Sequence, residues 1–457
     1  MFIAIVCILT AAHCGSGKKQ SDKKDSLYIK SVPEWTKNLT IYEVNLRQYS
    51  RSGSFRDFQK HLDRLQDMGI GILWFMPIQP IGVKNRKGTL GSYYSVKDYT
   101  AINPEFGTMD DFKALVKEAH KKGMYVIIDW VANHSSWDNK LITEHPEFYT
   151  KDSTGKIIPP VADWADVADF NYDSKGFRRY MIDAMKFWLK ESDIDGFRCD
   201  VAGMVPIDFW EEVRPSLDSI KKVFMLAECE DPMLHKKAFD MTYAWEFHGL
   251  ITNIAKRKRS VRSLDTLFKK ENKNYPADAY RMYFTSNHDE NSWNGTAYEK
   301  FGKGVKTFAV FTFTVPGMPL IYSGQEAGLN KRLKFFDKDT IEWKKDDFFG
   351  LYKTLIALKK ENKALWNGSY GGNMNILKTN NDNKVFTFTR TKEENKILVI
   401  LNLSDKQQKI SIKDNPLEGI YYEVFSGKKT KLEKSTIFIL DPWGYTIYSS
   451  FQPTSKK

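Results

Sequence analysis

Asp129-Trp130-Val131-Ala132-Asn133-His134 closes a short apolar run, and three further segments repeat the pattern: Gly196-Phe197-Arg198-Cys199-Asp200, Leu226-Ala227-Glu228 and Ser286-Asn287-His288-Asp289. The runs behind them are short and rich in β-branched and aromatic residues, which reads as buried strand rather than helix. Each delivers acidic or imidazole side chains where the strand ends. One such acid reads as a helix cap, since Asp and Asn cap often. Four clusters at four strand ends read as one site.

The same alternation extends outward in both directions. Leu39–Val44, Ile72–Phe75, Tyr125–Trp130, Ile194–Cys199, Val223–Glu228, Phe239–Tyr243, Arg281–Ser286 and Leu320–Ser323 read as strands. Helical spacing fills Phe55–Met68, Asp110–Lys122 and Phe177–Lys190, and another helix starts at Pro206–Val213, with Gly69 and Gly123 as stops. Eight strand–helix repeats predict a parallel sheet, and closure into a (β/α)8 TIM barrel is the economical solution. The polar clusters then fall at the C-terminal ends of the strands, where such barrels place their active sites.

The barrel is expected over residues 31–366. Residues 135–171, rich in Asp, Trp, Pro and Lys and without a strong period, form a short insert after strand 3 that walls one side of the cleft. From residue 367 to 457 the pattern changes to short alternating strands, with Asn380-Asn381-Asp382-Asn383 as a hairpin turn; this predicts a C-terminal antiparallel β-sandwich.

The formal charge of +12 raises the question of nucleic acid, but the lysines are scattered and no nucleic-acid module accompanies them, so no such partner is expected. Residues 1–14 carry an apolar run too short to span a bilayer, and they read as an export signal ending in small residues and Cys14. That ending resembles a bacterial lipoprotein cleavage site, although His13 stands where a small residue is usual. Residues 15–30 are polar and read as a flexible tether. The expected location is therefore outside the cytoplasm, lipid-anchored at Cys14 in the periplasm or on the cell surface. A lipid anchor is the one membrane contact expected. Cys199 and Cys229 each adjoin an acidic candidate. On a strand, neighbours face opposite sides, so if Asp200 and Glu228 face the site, the thiols face the helices as free cysteines.

A set of carboxylates at successive strand ends suits glycosidic bond cleavage, in which one carboxyl protonates the leaving oxygen and another attacks or stabilises the sugar cation. At the four segments the chain resembles the α-amylase family, glycoside hydrolase family 13, over roughly residues 36–450. The resemblance implies retaining hydrolysis of α-1,4-glucosidic bonds in starch-like chains or maltooligosaccharides. It implies that Asp200 is the nucleophile, Glu228 the general acid/base and Asp289 the third carboxylate that binds sugar hydroxyls. Arg198, two residues before Asp200, shares its face of the strand and keeps it ionised. Asn287 is taken as a substrate-binding residue from the same segment as His288. His134 and His288 match hydroxyl-binding histidines, and Tyr94 a tyrosine that stacks on the sugar at the cleavage point. Trp130, Trp164, Trp245 and Trp293 are candidate platforms for further sugars. Asn133 and Asp169 match oxygen ligands of a calcium ion held by many members, an ion suited to such ligands; no organic cofactor is implied. Many α-amylases have Lys-His where Gly203-Met204 stands, which bears on bond position and product length. Related activities (α-glucosidase, cyclomaltodextrinase, glucan transferase) share the scaffold. A glycan-binding lipoprotein without turnover would usually lack one of the carboxylates, and a metallohydrolase would need a compact His/Asp cluster that the sequence does not contain.

Overall fold

The computed structural model describes residues 29–413 and 418–452. The export signal and residues 15–28 of the tether lie outside the described residues. Eight strands, β1 (Ile41–Val44), β2 (Ile72–Phe75), β3 (Tyr125–Trp130), β4 (Gly196–Cys199), β5 (Phe224–Ala227), β6 (Met241–Tyr243), β7 (Tyr280–Tyr283) and β8 (Met318–Tyr322), close a parallel barrel in chain order. All eight fall on the runs read from the sequence. The largest displacement is β7, which leaves the ladder after Tyr283 instead of continuing to Ser286. The helix read over Phe55–Met68 is two helices, Phe55–Gln59 and Leu62–Met68, broken where the Lys60 N–H turns back onto the Asp57 and Phe58 carbonyls. Helix Met109–Lys121 begins with a capping box between Thr108 and Asp111, which satisfies two orphan backbone donors.

Strand alternation sorts the side chains into two cores. Ile41, Ile72, Ile127, Leu226, Met282 and Leu320 point inward and fill the barrel. Leu73, Val126, Ile128, Phe197, Met225 and Ile321 point outward under the helices. Cys199 belongs to the outer core and is buried there; Cys229 is partly exposed, and both are free thiols. Toward the strands' C-terminal ends, the interior turns polar: Glu43, Asp129 and Arg198 are buried side chains on β1, β3 and β4, and Asp129 and Arg198 are register partners. Gly196 is required where β4 begins. Its φ is +156°, and a Cβ there would lie 1.9 Å from the Phe224 carbonyl oxygen of β5; any side chain would prise two barrel strands apart.

The opposite end of the barrel is stoppered. Trp35 stacks on Tyr125, with ring centroids 3.8 Å apart, and meets Phe224 edge-on. Lys30 Nζ donates to the Phe239 carbonyl just ahead of β6. The described chain therefore enters at the face remote from the active-site end.

After β3 the chain makes a small two-stranded ribbon, His134–Ser136 against Val167–Asp169, with His134 opposite Asp169. Beyond helix Asp347–Glu361 it builds a six-stranded antiparallel sheet from Asn373–Ile376 to Tyr445–Ser449, and Gln408–Ser411 pairs with Ile437–Leu440 in a two-stranded sheet. Leu398, Ile400, Ile410, Leu432 and Phe438 form the core they share. This is the C-terminal antiparallel β domain expected from the alternation. Arg390 fastens it to the barrel: its buried guanidinium donates to the carbonyls of Thr314 and Val315 on one side and of Trp366 and Gly372 on the other.

Candidate active site

Asp200 and Glu228 sit one residue beyond β4 and β5, each still tied into the barrel. The Asp200 N–H donates to the Trp130 carbonyl at the end of β3, and the Glu228 N–H to the Cys199 carbonyl at the end of β4, both at 3.0 Å. Arg198 is the hub. Its Nη1 lies 2.9 and 3.1 Å from the two carboxylate oxygens of Asp129 and 3.0 Å from Asp200 Oδ1. Its Nη2 lies 2.8 Å from Glu228 Oε2, and Nε donates to the Tyr243 hydroxyl. The rings of Trp74, Tyr94 and Tyr243 surround the guanidinium. They exclude water and strengthen its Coulombic pull on the carboxylates.

Three carboxyl groups therefore face one guanidinium. Burial, then the Glu228 and Asp129 carboxylates, push the Asp200 carboxyl well above the usual range, and Arg198 pulls it back. Burial raises Asp129 to about 6 against the same guanidinium.

Glu228 is aimed by strain next to Asp200. Val201 has φ +36° and ψ 45°, a left-handed conformation that is rare for a β-branched residue, and its N–H donates to Glu228 Oε2 at 2.8 Å. Backbone strain of this kind is held in place by surrounding structure and clusters at functional sites.

Asp289 follows β7 by a short loop and precedes a single π-helical turn, Glu290–Asn294. His288 Nε2 lies 3.3 Å from Asp289 Oδ2, and His288 Nδ1 bonds Glu43 Oε1 at 2.5 Å. Burial works against charging His288, but Asp289 and Glu43 raise it well above the ordinary histidine range, so it is an imidazolium. Burial likewise opposes ionisation of Asp289, but the His288 charge and hydrogen bond hold its carboxyl below the usual range. The Tyr94 hydroxyl donates to Asp129 Oδ2 at 3.1 Å and meets His288 Nε2 at 2.7 Å. His134 is the opposite kind of histidine: burial lowers it to about 3, so it is neutral.

Asp200, Glu228, Asp289, Tyr94 and His134 line one cleft of about 420 Å³, together with Trp164, Trp293, Phe335 and Phe336. Arg198 and His288 stand directly behind it. Asn287 does not reach it. Its side chain is fully buried, and Oδ1 accepts the Glu290 N–H, so it shapes the turn that presents Asp289. Of the tryptophans, Trp164 and Trp293 line the cleft; Trp130 is fully buried, and Trp245 packs against Tyr243 and Phe284. Asn133 and Asp169 do not fit a calcium site on their own. The Asn133 amide is turned to His134 Nδ1, and Asp169 is a lone carboxylate whose pKa is raised by burial. Among the described residues no three His, Cys, Asp or Glu side chains gather as metal ligands, whereas calcium takes six to eight oxygens.

Glu43, Asp129 and Tyr243 carry the site from below, and none was singled out from the sequence. Asp129 was visible, as the first residue of the first segment. Glu43 gave a weaker signal, an acid inside the apolar run Ile41–Val44.

The description "Alpha amylase, catalytic domain" matches residues 21–156 and 161–347, and "Maltogenic Amylase, C-terminal domain" matches residues 374–447. Among curated relatives, Alpha-amylase 2 of Dictyoglomus thermophilum is 26% identical over 436 residues, covering 87% of this chain and 74% of the relative. A cyclomaltodextrinase of Thermoanaerobacter pseudethanolicus is 25% identical over 441 residues, covering 85% and 74%. A noncanonic maltogenic alpha-amylase from Thermotoga neapolitana superposes with TM-score 0.83 at 32% identity, covering 91% of this chain and 99% of that one. With the barrel, the three cleft carboxylates and these matches together, the chain belongs to the α-amylase family and is a glycoside hydrolase.

Proposed function

We propose that the protein hydrolyses α-1,4-glucosidic bonds of starch-like α-glucans and maltooligosaccharides with retention of configuration. The observation that carries this reading is the single guanidinium of Arg198 reaching both Asp200 and Glu228 at the mouth of the barrel. In the first displacement the Asp200 carboxylate attacks the anomeric carbon while Glu228 gives its proton to the leaving oxygen. The C–O bond to the leaving sugar breaks as the glycosyl–Asp200 ester forms. In the second, Glu228 takes a proton from water, the water oxygen bonds the anomeric carbon, and Asp200 is released. Arg198 favours the bare Asp200 needed for attack. The His288 imidazolium, behind the cleft, keeps Asp289 ionised as an acceptor for sugar hydroxyls, and neutral His134, whose Nδ1 faces the Asn133 amide, carries its N–H on Nε2. This double displacement uses no organic cofactor.

Cyclomaltodextrinase activity is the second reading, supported by the maltogenic-type C-terminal domain and the cyclomaltodextrinase relative. α-Glucosidase and glucan transferase use the same chemistry with a different cleft shape. The full chain, wild type and Asp200→Asn, incubated with soluble starch, maltoheptaose and a cyclic maltodextrin, tests the proposal. Reducing ends from the wild type alone, first appearing as α-anomers, are expected; β-anomers would overturn retention, and starch binding without turnover would leave a glycan binder.

Export and lipid attachment at Cys14 belong to the same proposal. Entry of the described chain beneath the barrel, at Lys30 and Trp35, supports it, because a tether there leaves the cleft facing away from a membrane. A Cys14→Ala variant that fractionates with membranes as the wild type does would count against it.

A further inference from the structure

Two loops form a wall at one end of the cleft. Residues 84–91 follow β2 and residues 331–339 follow β8. Thr89 donates from its N–H and its hydroxyl to Asp337 Oδ1, at 2.9 and 2.6 Å, and the Leu90 N–H donates to the Phe336 carbonyl at 2.9 Å. Gly88, at φ +63°, permits this closeness: a Cβ there would stand 2.4 Å from the Cβ of Phe336. Buried Arg47, just after β1, clamps both loops from below through Nη1, to the Gly91 carbonyl at 2.9 Å and the Phe335 carbonyl at 3.2 Å. On the far side of the first loop, Lys87 Nζ reaches the insert, 2.8 Å from the Asp163 carbonyl and 3.0 Å from Asp166 Oδ1. On the far side of the second, the Ser292 hydroxyl donates to the Leu333 carbonyl, and Trp293 packs on Phe335 with centroids 5.1 Å apart. The contacts thus run unbroken from the insert to the π-turn beside Asp289.

The position of this wall relative to the reacting bond follows from the strand order. Its two loops, the Arg47 clamp and the π-turn they meet come after β2, β8, β1 and β7, which are consecutive in the barrel, whereas Asp200, Val201 and Glu228 follow β4 and β5 on the opposite half. Glu228 protonates the leaving oxygen, so the departing chain lies on its side, where Met204 is exposed. The wall therefore stands on the side that holds the glycone. Its inner surface is the ring of Phe335, nearly parallel to Tyr94 (12°, centroids 6.2 Å).

We infer that this wall closes the glycone end of the cleft, so that the enzyme cuts a short, fixed distance from the non-reducing end of an α-glucan instead of at internal bonds. The inference rests on the hydrolase reading above. Binding energy for a chain threaded past Tyr94 is replaced by a steric and desolvation penalty against it, which is how a site rejects a competing binding mode.

The test compares 4-nitrophenyl maltoheptaoside with the same compound capped by a ketal on its non-reducing glucose, products being resolved by chromatography. The wild type is expected to cleave the capped substrate about 50-fold or more slower than the free one. Releasing both sides of the wall with Lys87→Ala and Asp337→Ala is expected to raise the capped-to-free rate ratio about tenfold. Equal wild-type rates on the two substrates overturn the wall while leaving the hydrolase reading intact. An unchanged ratio in the variant overturns these loops as its cause. Cleavage of neither substrate, nor of starch, overturns the hydrolase reading and this inference with it.

Discussion

Replacing Asp129 by Asn isolates the residue that supports Arg198 without touching the cleft carboxylates. Asp129 Oδ1 accepts from Arg198 Nη1; Oδ2 accepts from Arg198 Nη1, Trp74 Nε1 and the Tyr94 hydroxyl. An amide keeps the shape, but one of its two ends must now be a donor facing donors. Whichever way it turns, at least one charge-assisted hydrogen bond is lost, a loss of about 1.5–3 kcal/mol. If the whole of that is felt in the transition state, kcat/KM falls about 10- to 150-fold, at about 1.4 kcal/mol per decade. Stability moves much less, because the amide also removes a buried charge that burial disfavours: the Asp129 pKa is raised to about 6. The two effects oppose each other, and the unfolding free energy is expected to stay within about 1 kcal/mol of wild type.

The pH profile gives the sharper readout. In the wild type, Asp129 takes up a proton as pH falls through about 6, and Arg198 then loses the same partner that Asn removes. The profile of kcat/KM on maltoheptaose is expected to fall on the acid side of about pH 6 toward the level of the variant. In Asp129→Asn the part of that fall that Asp129 causes is absent, so the acid limb is shallower across the same interval. A variant with kcat/KM within about twofold of wild type and an unchanged acid limb would refute the view that Asp129 holds Arg198 in its working position.

Three further outcomes follow from particular contacts. Tyr94→Phe removes the hydroxyl that joins Asp129 to His288 but keeps the ring; steady-state kinetics should show kcat down about tenfold with KM changed less than about threefold, since a buried donor is lost and the stacking face is not. His235 is buried against Thr242 and lowered to about 3 by burial. Its folded pKa lies below its unfolded one, so its contribution is present above about pH 6.5 and is lost as pH falls; His235→Gln should flatten the pH dependence of urea stability by about 1.4 kcal/mol per pH unit between pH 6 and 4. Arg390→Met leaves four carbonyls at the junction of barrel and C-terminal domain without their donor and should destabilise by about 3–5 kcal/mol in urea unfolding; a shift below about 1 kcal/mol would mean that those carbonyls find water.

The fold was readable because a parallel barrel writes its strands as apolar runs and its helices as 3.6-residue periods. Ile72–Phe75 and Tyr125–Trp130 needed no adjustment, since Gly71 and Pro77 bound the first and Gly123 and Asn133 the second. The break at Lys60-His61 was not readable: the apolar spacing of Phe55, Phe58, Leu62 and Leu65 continues across it, and all four are buried as one stripe. At the site, residues on strand ends were legible because their chemistry stands out against the apolar run before them. Asn287 was assigned to the substrate through its neighbour His288. Adjacent residues on an extended segment face opposite ways, so the side chain beside a cleft residue is the one most exposed to this error. Phe335 and Phe336 gave no signal at all, since a loop aromatic reads the same whether it lines a cleft or packs on a surface.

Glu43, Asp129 and Arg198 belong to a different category, in which fold and function are written into the same positions. All three occupy inward-facing positions near the C-terminal ends of barrel strands, where the next layer down is Ile41, Ile127 and Leu226. A purely apolar layer there would fill the barrel equally well and avoid the desolvation of several charges. What the charges supply is preorganisation. Arg198 is held by Asp129 before any sugar arrives, and His288 is held by Glu43, so neither cation must reorient as charge develops at the anomeric carbon. The three cleft carboxylates are thereby fixed through one intermediary each: Asp200 and Glu228 through Arg198, Asp289 through His288. Substitutions at Glu43 and Asp129 should therefore act on the same kinetic constants as substitutions in the cleft, although neither residue reaches the sugar.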